Sequence, residues 1–98
     1  MEEKILLLVT YEVKTGEREK LVNAVTEAGI LEKIRKEDGC ISYQYYFDST
    51  DANRILLVEK WGSETKQQEH LKTAHMEAFK GIKEQYVLNT TVEKVKFR

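Results

Sequence analysis

The chain has 98 residues, 41% hydrophobic and 34% charged, which suits one folded domain spanning 1–98 and excludes a disordered chain. Sixteen Lys and Arg are matched by seventeen Asp and Glu, so no basic surplus marks nucleic acid as a partner. The longest apolar run, Ile5 to Val9, is far short of the roughly 20 residues of a membrane-spanning helix. Glu2 and Glu3 precede that run with no small-residue cleavage site, which argues against a secretory leader. The single cysteine, Cys40, allows neither an internal disulfide nor a thiolate metal cage. A cytoplasmic protein with no membrane partner fits these observations.

In chain order, residues 4–14 are β-branched and aromatic-rich and predict a first strand. From Glu17 to about Lys36, Leu21, Val25, Ala28, Leu31 and Ile34 recur at three and four, predicting one helix with a single apolar stripe. Thr15 is placed to cap it, and Glu17 and Glu19 suit the positive end of its dipole. Cys40 to Asp48 alternates, with Ile41, Tyr43, Tyr45 and Phe47 on one side. Arg54 to Trp61 predicts a third strand, joined to the second through the turn-forming stretch 48–53. Ser63 to about Gln85 predicts a second helix with Leu71, Ala74, Ala78, Phe79 and Ile82 on its core face. Thr90 to Phe97 predicts a last strand. The order β-α-β-β-α-β is that of the ferredoxin-like α+β fold, a four-stranded antiparallel sheet with two helices on one face.

Two helices cover only one face of such a sheet. The first strand is nevertheless apolar on both faces (Ile5, Leu7 and Val9 against Leu6 and Leu8), and the third nearly so (Ile55 and Leu57 against Leu56 and Val58). Leaving several of these wet forfeits several kcal/mol at ~25 cal/mol per Å². A second copy packed sheet to sheet, a homodimer, is the simplest cover; loops and tails are the other.

The stretch from Asp38 to Phe79 carries a family resemblance. It contains Asp38-Gly-Cys-Ile-Ser-Tyr43, Asp51-Ala-Asn53, Leu57-Val-Glu-Lys-Trp61, His70-Leu-Lys-Thr-Ala-His75 and Phe79. The ordered set resembles the antibiotic biosynthesis monooxygenase-like family: a Gly-x-x-x-Tyr second strand, a Glu-x-Trp ending the third, and a paired-histidine second helix. Upstream, Lys14-Thr-Gly-Glu-Arg-Glu is similar to the family's turn into its first helix, with Thr15 where proline is frequent. The resemblance implies a dimeric α+β barrel and a pocket between sheet and helices. It also implies a cofactor-free monooxygenase of small phenols or quinols. Haem-degrading relatives carry a histidine ligand further along the second helix; here Lys80 stands there and His70 stands near the aromatic position, so haem is not expected.

Several residues suit such chemistry. Glu59 and Trp61 share one side of the third strand. A carboxylate on an apolar face has a raised pKa and can accept a proton near neutrality; alternatively Glu59 pairs with a cation and Trp61 fills core volume. His70 or His75 could shuttle a proton from a phenol, or either could be structural. Five residues apart, they lie about 140° apart on a helix and face one point only if it breaks between them, so no metal is expected from this pair. Tyr43 and Tyr45 could wall a pocket for a flat ring or simply pack. Asn53 could donate to a substrate oxygen, though turn chemistry also accounts for it. Cys40 is expected to be a small buried residue.

His70 and Glu59 are therefore the candidate bases, with Trp61, Tyr43, Tyr45, Asn53 and His75 around the substrate. Besides oxygenation, the same base suits an isomerase or tautomerase of a small carbonyl compound, and the pocket also suits simple ligand binding in a non-enzymatic dimer.

Overall fold

The structure, a computed structural model, describes residues 2–98. Four strands and four helices follow one another: β1 Lys4–Val13, α1 Arg18–Glu27, α2 Ile30–Arg35, β2 Cys40–Phe47, β3 Arg54–Trp61, α3 Glu64–His70, α4 Ala74–Tyr86 and β4 Val87–Phe97. The sheet is antiparallel in the order β2-β3-β1-β4, the ferredoxin-like arrangement, with the helices on one face.

β1 sits at the centre, and its burial alternates residue by residue. Its odd residues Ile5, Leu7, Val9, Tyr11 and Val13 are buried beneath the helices. They meet Ile55, Leu57, Glu59 and Trp61 on the same face of β3, since Leu7 pairs with Glu59 and Ile5 with Trp61. Leu21, Val25, Ile30, Ile34 and Phe79 close the core from the helices. Cα atoms span only 17 Å in the thinnest dimension, one sheet and one helix layer. Leu6, Leu8, Leu56 and Val58 on the opposite sheet face are only half-buried, and Tyr46 and Val95 beside them are exposed. No helix among the described residues is long and apolar enough to cross a membrane.

Five local differences separate the structure from the sequence pattern. The first helix is two helices: Gly29 adopts φ 75, ends α1 and begins α2, a conformation glycine enters without a Cβ clash. The stripe is thereby rotated, so Ile30 and Ile34 are buried while Ala28 is exposed. Thr15 does not cap α1, whose N-cap is Glu17 without a side-chain hydrogen bond. The second helix is also two helices, and Leu71, Ala74 and Ala78 are exposed, leaving Phe79 as the buried side chain of α4. In β2 the register shifts between Cys40 and Ser42, a bulge that turns Ile41 outward at 52% exposure. Finally, β4 starts at Val87 directly from α4, earlier than its alternation suggests.

Candidate active site

The break between α3 and α4 assembles the site. Ser63 caps α3 by accepting from the Lys66 amide, 3.2 Å. Three residues past His70, Thr73 ends one helix and starts the next. Its hydroxyl donates to the His70 carbonyl at 2.9 Å and accepts from the Met76 amide at 3.3 Å. A threonine with extended backbone suits an N-cap because its oxygen satisfies an otherwise free amide. Without this break the two histidines would diverge; with it, both imidazoles reach the same carboxylate.

That carboxylate is Glu37, in the loop before β2. Its Oε2 lies 2.7 Å from His70 Nδ1 and 2.8 Å from His75 Nε2. The loop is drawn in by Gly39, at φ 91, whose carbonyl accepts from the Gly62 amide at 2.7 Å. A carboxylate only accepts, so it fixes the proton of the neutral His70 ring on Nδ1 and leaves Nε2 as the free lone pair. The ligand atoms of Glu37, His70 and His75 lie within 4.8 Å of one another. The set could therefore ligate a divalent ion if both ring protons were displaced, although each short contact is already a satisfied hydrogen bond.

Around His70 the strands supply aromatic walls. The Trp61 ring stacks on the imidazole with centroids 4.5 Å apart, and Tyr43 approaches edge-on at 5.9 Å. Trp61 Nε1–H donates to Glu59 Oε1 at 3.0 Å, a pairing that follows from their i, i+2 placement on one face. His70 is 1% exposed and Glu59 6%. Burial lowers the His70 pKa from its ordinary value; the Glu37 carboxylate opposes that shift and His75 reinforces it. Burial raises Glu59 to about 7, with the Trp61 hydrogen bond opposing and the Glu37 charge adding to the rise. Near neutrality, then, His70 is an uncharged base and Glu59 is poised between acid and base.

His70, Glu59 and Tyr43 border a cavity of about 360 Å³ between the helices and the β1–β4 side of the sheet, walled by apolar groups such as Leu7, Val9 and Phe79. Trp61, Tyr45 and His75 stand behind these residues and do not line it. The Tyr45 hydroxyl is buried without a hydrogen-bond partner, and Tyr45 and Tyr43 stack edge to face at 6.1 Å. Burial pushes both phenols well up, so both stay protonated. Asn53 lies beyond the opposite end of β3 from Trp61, where its Oδ1 accepts from the Gly16 amide at 3.2 Å; it is a turn residue placed away from the cavity. Cys40 is half-buried, and burial with the nearby Glu37 and Glu59 carboxylates pushes its thiol up to about 11. Glu37 was not singled out from the sequence. Its only local signal is an acidic residue just before the Asp38-Gly39 turn.

Fold and site together define a class: a ferredoxin-like α+β protein with a buried histidine–carboxylate pair beside an apolar small-molecule cavity. Residues 4–81 match the antibiotic biosynthesis monooxygenase family, and the chain belongs to that family. An uncharacterised protein of Synechocystis sp. is 30% identical over 78 residues, 80% of this chain and 52% of that protein. The chain thus spans about half the length of this curated relative. A crystal structure from Bacteroides thetaiotaomicron, described as a protein of unknown function and possible oxidoreductase, matches with TM-score 0.86 at 30% identity, covering 99% of this chain and 100% of that one. A Caulobacter crescentus structure, provisionally described as an antibiotic biosynthesis monooxygenase, matches with TM-score 0.90 at 16% identity over 99% and 92% of the two chains. At that identity the likeness concerns the fold.

Proposed function

We propose that this protein is a cofactor-independent monooxygenase of small phenols or quinols, with His70 as the base. The observation that carries the proposal is the Glu37–His70 contact of 2.7 Å at the edge of a largely apolar cavity. It orients a neutral imidazole whose free nitrogen is available to a bound hydroxyl. His70 takes the phenolic proton, and Glu37 stabilises the imidazolium that forms, as the carboxylate of a histidine dyad does. The electron-rich phenolate passes one electron to dioxygen, and the radical pair combines into a peroxide on a ring carbon. Loss of the ring hydrogen with the outer oxygen as water leaves a carbonyl. One oxygen atom thus enters the substrate, and its own O–H and C–H supply the reducing equivalents. Glu59, near its pKa, suits proton delivery to the departing oxygen. The protein contributes orientation, proton transfer and exclusion of bulk water.

Oxygen uptake with a panel of substituted hydroquinones tests this. Uptake with formation of a hydroxyquinone that carries one atom from labelled dioxygen, reduced at least 100-fold in His70→Ala, is expected; the parent quinone with hydrogen peroxide would mark simple oxidation and refute oxygen insertion. Turnover of α-hydroxyketones without oxygen uptake would reassign the site to isomerisation, and saturable binding without turnover would reduce it to a ligand site.

The working unit in this proposal is a homodimer formed through the outer sheet face. The support is the half-buried row Leu6, Leu8, Leu56 and Val58 with exposed Tyr46 and Val95, too apolar for a solvated face. Leu8 pairs with Val58 across β1 and β3, at the middle of this face. Light scattering at micromolar concentration should give twice 11.5 kDa, and Leu8→Glu should give the monomer. A monomeric wild-type mass would refute the dimer.

A further inference from the structure

The cavity's floor and its rim differ in charge. Of the groups lining it, Glu59 is the one carboxylate, whereas Lys80, Lys83 and Lys94 all face it, in a chain whose formal net charge is −1. No arginine and no glycine lines it. Lys80 and Lys83 are one turn apart on α4, and Lys94 comes from β4. A second depression of about 410 Å³ shares Lys80, Lys83 and Thr90 with the first, so these ammonium groups stand at the threshold between the two.

The three lysines are not equivalent. Lys80 is paired with Glu77 at 3.0 Å in an exposed pair, and Lys94 with Glu64 at 2.8 Å in a partly exposed one. Lys83 is half-buried and has no carboxylate within 4.0 Å among the described residues. Its Nζ lies 5.8 Å from the centroid of the Tyr11 ring, and Tyr11 is itself part of the cavity wall. A cation held over an aromatic wall, partly removed from water and without a counter-ion, favours an anion at that point.

We infer that the ligand of this cavity is an aromatic hydroxy acid, whose carboxylate meets Lys83 at the rim while its ring hydroxyl reaches His70 and Glu59 at the floor. This rests on the oxygenase proposal for the identity of the reacting end and adds the substrate class. A lone lysine is a compact point charge suited to one carboxylate; dedicated phosphate sites use guanidinium forks or glycine-rich backbone cradles, neither of which lines this cavity. A volume of about 360 Å³ falls in the range of small-ligand pockets and suits one or two rings. The charge also orients the ring, since the reversed pose would bring a carboxylate against Glu59.

The test compares 2,5-dihydroxybenzoate with its neutral counterpart 2,5-dihydroxybenzyl alcohol, by isothermal calorimetry and by quenching of the single tryptophan. At low ionic strength the acid should bind about ten-fold more tightly, an advantage that shrinks in 0.5 M salt. Lys83→Ala should bring the ratio of the two affinities close to one, and Lys83→Arg should keep most of it. Equal affinities in the wild-type protein, or a preference that survives Lys83→Ala, would overturn the inference. The salt titration needs no variant, so a folding defect in Lys83→Ala leaves the test decisive. Oxygen uptake is scored separately: a charge preference without uptake refutes only the oxygenase, and uptake with no charge preference refutes only the hydroxy-acid assignment.

Discussion

Glu37→Gln isolates the group on which the proposed base depends. Glu37 Oε2 accepts from two imidazoles at 2.7 and 2.8 Å, and the substitution keeps the shape but removes the charge. Hydrogen bonds to charged groups contribute about 1.5–3 kcal/mol where neutral ones contribute about 1. The imidazolium formed during proton transfer thus loses about 0.5–2 kcal/mol of stabilisation, roughly 2- to 30-fold in kcat/KM. The pH dependence gives a sharper readout. Glu37 pulls the His70 pKa upward against burial, so without its charge the pKa falls further. The neutral form then persists to lower pH, and the acid limb of the rate profile moves down. With two histidines in the chain, nitrogen-15 NMR follows each directly. Wild-type His70 should show the Nδ1-protonated tautomer, and Glu37→Gln should lower its titration midpoint. An Nε2-protonated His70, or a midpoint that stays or rises, would refute the dyad.

Three other substitutions follow from the same geometry. Because Glu59 is raised from 4.5 to about 7, the native state holds that proton more tightly than the unfolded chain. Its stability contribution is present below pH 4.5 and lost as pH rises through 7, about 3 kcal/mol in all. Glu59→Gln should therefore flatten denaturant-measured stability between pH 5 and 8 and raise it at pH 8; an unchanged slope would contradict the shift. Trp61→Phe removes the 3.0 Å donor to Glu59 and part of the stack on His70. It should move the Glu59 titration above 7 and cost about 1–3 kcal/mol in urea melts; an unmoved Glu59 carbon-13 titration counts against it. In Gly39→Ala an added Cβ would lie 2.5 Å from Lys66 Cβ, at φ 91. A loss of about 1–3 kcal/mol and weakened coupling between His70 and Glu37 in NMR are expected, and wild-type stability would show the turn to be tolerant.

The succession of strands along the chain, the two-faced apolarity of β1 and β3, and the common side of Glu59 and Trp61 are legible in the amino-acid pattern. Each follows from the period-two alternation of an extended chain, which needs no knowledge of distant partners. The family resemblance is legible for the same reason, as an ordered set of short motifs. Helix continuity is different. A stripe at three and four reads across Gly29 and Thr73 without registering that one takes a left-handed conformation and the other caps a new helix. Both are visible as residue types, a glycine near a helix end and a threonine after a histidine turn, but neither compels a break until the chain packs. The register bulge that exposes Ile41 likewise arises from pairing with β3.

What the three-dimensional packing alone decided is the constellation at His70. Glu37 and His70 are 33 residues apart and Glu37 and His75 are 38, and no local periodicity relates them. Glu37 arrives through the Gly39–Gly62 contact, and the histidines converge through the α3–α4 break. The shifts of His70 and Glu59 follow from burial, which belongs to the folded surface and to no residue singly. The chemical groups are written along the chain, whereas their distances and protonation states depend on long-range contacts.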